Sequence, residues 1–167
     1  MERCPGAGVT GGTDSTPPPD GAAGPSPVPS LVRSECLGLL RQVPVGRIAF
    51  VVADGWPVVV PVNYAVDGEA IVFRTDPGAK LEAVFRAPRV AFEVDSFDRL
   101  YTSGWSVLVH GIAREVGPEE RERLESTLHL SPWAGGPKYH WVRVPMLQVT
   151  GRRLPRAWAY PGPIPPA

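Results

Sequence analysis

Long apolar runs are missing from this 167-residue chain. None reaches the roughly 18 residues needed to cross a bilayer as a helix, so no membrane span is expected. The opening residues, MERCPGAGVTGG, hold no apolar segment of the kind a secretory signal needs, and such a signal is not expected. Cysteine is scarce. Cys4 and Cys36 are the only two, which argues against a disulfide framework and against a cysteine-based zinc site. The expected compartment is a reducing cytoplasm. A charge excess is also missing: 17 basic residues balance 17 acidic ones. Neither nucleic acid nor an anionic membrane is therefore an expected partner. The nucleophile elbow, the Walker loop and the dinucleotide-binding glycine pattern are absent. The histidines, His110, His129 and His140, stand near no serine or cysteine in a nucleophile signature. No internal repeat is found, and glycine has no period of three, which excludes a collagen-like chain.

Backbone punctuation is what the sequence has in quantity, with 21 prolines and 18 glycines. Residues 1–30 hold 7 Pro and 6 Gly, and residues 155–167 hold 5 Pro and 1 Gly. The first stretch has too little apolar side chain to offset ordering entropy and reads as a disordered tail. The last stretch is a similar Pro-rich tail, although Trp158 and Tyr160 offer aromatic groups that would dock on the body. One domain, residues 31–154, is expected between them. Its own turn formers come too often for long helices.

Within that domain the pattern is mainly β. Ser34 reads as the N-cap of a short helix carrying Leu37, Leu39 and Leu40, ended by Pro44. Val45–Ala53, Trp56–Val66 and Glu69–Thr75 read as three strands of a meander, joined at Asp54-Gly55 and Asp67-Gly68. Pro57 and Pro61 remove ladder donors, so their strand must lie at an edge or turn those positions from a partner. Asp76-Pro77 opens a short helix over Pro77–Phe85. Arg89–Asp95 and Gly104–Val116 follow as strands around a Ser96–Ser103 loop, the second kinked at Gly111. Pro118–Leu128 is a polar helix with an acidic first turn. After a Pro/Gly loop over 129–138, Tyr139–Val144 and Leu147–Leu154 close the fold. Six or seven antiparallel strands with two or three short helices remove their edges most economically as a small closed or split barrel.

Three segments can carry chemistry. In Phe73–Lys80 a strand ends in Arg74 and Thr75 and turns into a helix start with Lys80 in its first turn. Free N–H groups, the helix dipole and two cations would converge there on a phosphate. The same residues also read as a solvated strand–helix junction. In Val60–Tyr64 a strand proline leaves backbone groups free for a planar heteroaromatic ligand, or simply marks an edge. Trp105 and Ser106 open a long strand and would face a ring or cap the barrel. Cys36 reads as a small buried hydrophobe rather than a nucleophile. Glu93, Asp95 and Asp98 form an acidic cluster in which Asp95 and Asp98 are expected to cap a loop, and no metal centre is expected.

The order PVVVPVNYAVDGEAIVFRTDPGAKL, RVAFEVDSFD, GWSVLVHGIA and VTGRR resembles the flavin-binding split-barrel family related to pyridoxamine 5′-phosphate oxidase. It is most similar to its small actinobacterial-type members, which include nitroimidazole-resistance-like proteins. The resemblance spans about Leu31–Leu154 and implies a homodimer with FMN held between two barrels. It places the phosphate on Arg74, Thr75 and Lys80, and the isoalloxazine ring on the backbone of Pro61, Val62, Asn63 and Tyr64. Ser106, beside Trp105, would meet the pyrimidine edge, and Trp141 and Arg143 would reach the site from the second subunit. The C-terminal Arg/His region that holds substrate phosphate in true pyridoxamine-phosphate oxidases is not matched. The chain turns Pro-rich after Gly151-Arg152-Arg153, so oxidation of pyridoxamine phosphate is not expected.

Three functions are open at this level. The first is a flavin-dependent oxidoreductase acting on an unidentified small molecule or electron donor, with no catalytic side chain assigned. The second is a non-catalytic carrier or sensor of flavin, deazaflavin or haem; in the haem case His110 or His140 would be the axial ligand. The third is an interaction protein working through its Pro-rich tails.

Overall fold

The computed structural model describes residues 28–78, 81–82, 86–98 and 103–154. The tails read from the sequence as disordered lie almost wholly outside these residues. The described elements are β1 (Ser30–Leu31), α1 (Arg33–Leu40), β2 (Val45–Val51), β3 (Pro57–Asp67), β4 (Ala70–Thr75), β5 (Arg89–Phe97), β6 (Gly104–Ile112), β7 (Arg114–Glu115), α2 (Pro118–Thr127) and β8 (His140–Leu154).

Every strand pairing is antiparallel. The order β8-β4-β3-β2-β5-β6 closes on itself where β6 pairs with β8. The result is a mainly β protein: a closed six-stranded antiparallel barrel, two short extra strands and two helices. β8 serves both halves. Its start pairs with β4 on one edge and β7 on the other, and its end pairs with β6 and β1. The sequence suggested two closing strands, Tyr139–Val144 and Leu147–Leu154. The structure joins them into one, because Pro145 and Met146 stay in ladder register with Ala70 and Gly111. Leu147 is the extra residue of a bulge opposite the His110–Gly111 step. The sequence suggested a kink of β6 at Gly111; the register irregularity falls at that step, but the extra residue belongs to β8, and the glycine is explained by close approach. A Cβ on Gly111 would lie 2.4 Å from the Pro145 carbonyl oxygen.

The turns follow local chemistry. Gly68 (φ +60°) occupies the first position of the two-residue turn between β3 and β4, where a left-handed residue suits the twist of a hairpin. The β2–β3 turn is longer than the two-residue hairpin read from Asp54-Gly55. It runs from Val52 to Trp56, with Gly55 at φ +87° and the Asp54 carboxylate accepting the Trp56 N–H at 3.3 Å. α1 begins two residues earlier than the sequence suggested. Val32, not Ser34, is the N-cap. Glu35 reaches back to accept the Val32 N–H at 3.0 Å, a carboxylate capping contact that Ser34 cannot make from inside the helix.

Two apolar clusters hold the fold. The barrel interior contains Ile48, Phe73, Phe92, Val94, Val107 and Val142, plugged at one end by Cys36, Leu39 and Leu40 of α1. A smaller cluster on the outside of β4 and β8 packs Val72, Val116 and Trp141 under Leu124 of α2. β4 is consequently buried on both faces, except at Arg74. Burial pushes the Cys36 thiol up, away from the thiolate form. The helix expected over Pro77–Phe85 is described only at its edges. Leu81, Glu82 and Arg86 are helical, and the Glu82 N–H donates to Gly78 O at 3.0 Å.

Candidate binding site at the β3–β4 seam

β3 has two halves. Tyr64–Asp67 pair with β4, and among the described residues Pro57–Asn63 pair only with β2. The β3–β4 ladder stops at Tyr64↔Phe73. Beyond it Asn63 and Arg74 stand on opposite sides of an unzipped seam. The two strand prolines fall in the half with a free edge, where a missing N–H breaks no ladder on that side. This is how the barrel splits.

The alternation of β3 sorts the expected ring-contacting residues by face. Val62 and Tyr64 point into the core. Tyr64 stacks edge-on to Phe92 at 4.8 Å and its hydroxyl donates to Leu40 O at 2.6 Å. Burial pushes the phenol's pKa up. Only the backbones of Val62 and Tyr64 are therefore available to a ligand. Pro61 and Asn63 point outward. The Asn63 amide donates to Pro44 O at 3.3 Å, and its oxygen accepts the Trp133 N–H at 2.8 Å.

Arg74 lies on the rim of the seam. Its guanidinium is 5.5 Å from the Trp141 ring, its cross-strand neighbour, in a cation–π contact. Nε donates to Lys138 O at 3.0 Å and Nη2 to Pro137 O at 3.1 Å. Thr75 is turned inward, 1 % exposed, and its hydroxyl donates to Asp76 O at 3.2 Å. Lys80 lies outside the described residues. Of the expected phosphate set, Arg74 is thus the described side chain open to the seam.

Trp141 and Arg143 are engaged within this chain. Trp141 is 2 % exposed and its indole donates to Glu125 at 3.2 Å. Arg143 bonds Asp67 and Glu120, and Arg123 of α2 also pairs with Asp67 at 2.7 Å. These hydrogen bonds from Arg123 and Arg143 hold the Asp67 carboxyl down at about 2. Trp105 is half-buried against the barrel core. Ser106 sits across the outward sheet face, opposite Asp95 and Arg152. It shares that face with Pro61 and Asn63 but is separated from them by β2 and β5.

Between them Arg47 bridges Glu93 at 3.1 Å and Asp95 at 2.7 Å. Burial, and then the Asp95 charge, push Glu93 upward despite Arg47. The sequence suggested that Asp95 and Asp98 both cap the following loop. Asp98 does so, accepting from the Ser103 hydroxyl at 2.9 Å, whereas Asp95 faces Arg47 because its strand runs on to Phe97. His110 contacts Gln148 at 3.2 Å, and His140 pairs with Glu115. Among the described residues no group of three His, Cys, Asp or Glu side chains could hold a metal ion.

One segment at the seam was not legible in the sequence. The loop 131–138 crosses the seam, held at one end by Asn63 and at the other by Arg74 and Asp76. Lys138 Nζ pairs with Asp76 at 2.6 Å, and its N–H donates to the same carboxylate at 2.8 Å. The only signal was a pair of opposite charges, Asp76 and Lys138, separated by 62 residues.

The family model described as pyridoxamine 5′-phosphate oxidase matches residues 32–153. The chain therefore belongs to the pyridoxamine 5′-phosphate oxidase-like split-barrel family. It is 35% identical over 133 residues to the uncharacterized protein Rv0080 of Mycobacterium tuberculosis, covering 76% of this chain and 86% of that one. Among solved structures it resembles the FAD binding protein of Mycobacterium smegmatis, with 39% identity, TM-score 0.62, and 75% and 96% of the two chains covered. An FAD-binding protein of Mesorhizobium loti gives 28% identity, TM-score 0.61, and 75% and 97% coverage. No helix among the described residues is long and apolar enough to cross a membrane.

Proposed function

We propose that this protein binds FMN at the β3–β4 seam and works as a flavin-dependent oxidoreductase on a small molecule. The observation that carries the reading is the unzipped seam itself: a free strand edge along Pro57–Asn63 facing a guanidinium at Arg74. The donor set suits the group in kind. A strand edge offers alternating N–H and C=O groups to a planar, hydrogen-bonding ring, and a guanidinium matches a phosphate. Arg74 and Lys80 would hold the phosphate and the backbone of Pro61–Tyr64 the ring; Ser106, on β6 beyond β2 and β5, is not assigned to this seam. A bound flavin would supply hydride and electron transfer, and the chain would supply orientation and electrostatics. FAD carries the same ring and an added nucleotide, and the likeness to two proteins described as FAD binding makes it the direct competitor of FMN.

Homodimerisation through the outward sheet face is part of the proposal. Val51, Val59 and Ile112 are exposed there at 45%, 59% and 46%. Such a face is better covered than left to water. A cytoplasmic location is also part of the proposal.

The purified protein should be yellow, and mass spectrometry of the released cofactor should give FMN. A colourless protein that takes up neither FMN nor FAD overturns the flavin reading, and a Soret band would select haem. A carrier role is the second reading. It is favoured by the engagement of the nearby titratable groups, since the Tyr64 hydroxyl is bonded to Leu40 O and His140 is paired with Glu115. Bound flavin that neither NADH, NADPH nor a reduced deazaflavin can reduce would select it.

A further inference from the structure

The segment Ser131–Lys138 lies over the seam, and its contacts run to the residues that flank it. Asn63 from β3, Arg74 from β4 and Asp76 just beyond β4 reach three separate parts of the same loop: the Trp133 N–H, the Pro137 and Lys138 carbonyls, and the Lys138 ammonium and N–H. The loop is otherwise exposed. Trp133 is 74% exposed, and Gly135, Gly136 and Pro137 are open to solvent. Its backbone is constrained at the anchored end. Lys138 has φ +48° and Gly136 φ +101°. A left-handed lysine persists only where the surroundings impose it. Here the Asp76 carboxylate does so, by accepting from both the backbone and the side chain of Lys138.

The consequence falls on Arg74. A guanidinium has five N–H donors arranged in a rigid fork. The Nε side, with one Nη2 hydrogen, is taken by the two loop carbonyls. One face packs over Trp141. No described residue accepts from Nη1, so the Nη1–Nη2 end remains for an anion. With the planar group held on one edge and one face, the open end has a set direction.

We infer that Ser131–Lys138 is a positioning strap, latched by the Asp76–Lys138 pair, whose carbonyls aim the free end of the Arg74 guanidinium at the phosphate of the ligand. This rests on the flavin reading above and adds two positioning residues, Asp76 and Lys138, that act through Arg74. The strap lowers the cost of ordering a long side chain when the anion arrives. Its effect must therefore appear in phosphate recognition and not in ring recognition.

Riboflavin and FMN differ by that phosphate alone and separate the two. Dissociation constants of both would be measured by flavin fluorescence on cofactor-stripped full-length protein, with circular dichroism as the folding control. Lys138→Met should weaken FMN roughly tenfold and leave riboflavin unchanged. Lys138→Arg, which keeps a cation for Asp76, should restore most of the loss. Arg74→Met should abolish the preference for FMN over riboflavin. Backbone hydrogen exchange at residues 131–138 should quicken in Lys138→Met. If Lys138→Met and Asp76→Asn keep the wild-type FMN-to-riboflavin ratio while the wild type binds flavin, the strap inference falls and the flavin reading stands. If the wild type binds FMN, FAD and riboflavin not at all, both fall. Equal loss of FMN and riboflavin in Lys138→Met would make the loop merely structural and also overturn the inference.

Discussion

The outer face of β4 is built differently along its length, on the side towards α2 and on the side towards the seam. On the side covered by α2, Val72, Trp141 and Leu124 are sealed, and the charges at its border are saturated among themselves: Asp67 with Arg123 and Arg143, Glu120 with Arg114 and Arg143. At the seam the strand pairing stops, Arg74 keeps an edge that no described residue fills, and the 131–138 loop bridges the gap. Both regions use arginine. In the first every guanidinium meets a carboxylate, which suits stability. In the second the guanidinium is held by neutral carbonyls, which orient it without cancelling its charge. A cation left uncancelled at an open strand edge is suited to binding rather than to folding.

The contrast predicts unequal responses to substitution. The largest effect belongs to Trp141→Ala on the sealed side. Removing a side chain only 2 % exposed should cost about 3–5 kcal/mol in denaturant-induced unfolding. A loss below about 1 kcal/mol would show that the α2 face is not a second core. Next comes Gly151→Ala, where the barrel meets α1. A Cβ there would lie 2.6 Å from Cys36 Sγ, and the overpacking should cost about 1–3 kcal/mol. Pairing it with Cys36→Ala should recover much of that loss, because the two sites share one space. Strict additivity of the two changes would break the explanation.

A smaller effect follows from acid. The folded Asp67 carboxyl sits at about 2, below its ordinary 3.8. The unfolded chain therefore takes up this proton first as pH falls. The stabilisation is complete above about pH 4 and is lost as pH drops towards 2. After allowance for solvent screening it amounts to about 1 kcal/mol. Asp67→Asn should flatten the acid limb of the stability profile by that amount, and an unchanged limb would place the titration elsewhere. The smallest effect is expected at Pro61→Val in the seam. It should alter stability by less than about 0.5 kcal/mol, since β3 there borders β2 alone on an exposed strand. A large loss would mean that the free edge is stabilising in its own right.

Much of the architecture was legible because it rests on local signals. Asp67-Gly68 and Pro118 mark a turn and a helix start by backbone chemistry alone. The β-branched runs of β2 and β4 show strands irrespective of their neighbours. Pro57 and Pro61 announced an edge before any partner was known. The family resemblance added the order of the segments. Misreadings arose where a distant residue decided. Pro145 and Met146 look like a break, yet ladder partners on β4 and β6 carry the strand through them. Asp95 reads as a loop cap, and Arg47 from another strand claims it.

The candidate site divides in the same way. Its location followed from strand ends, prolines and an Arg-Thr step, all properties of short stretches of chain. Which of those side chains face a ligand did not follow. Val62, Tyr64 and Thr75 are turned inward by the period of two and by the closure of the barrel. Trp141 and Arg143 are captured by α2, and Asn63 and Arg74 are engaged by a loop some 60–70 residues away in sequence. Local conformational preference is written in neighbouring residues, so the amino-acid sequence by itself determined the strands, the turns and the site of the split. Facing, charge pairing and the strap over the seam depend on contacts between residues far apart in the chain, and those were decided only when the barrel closed.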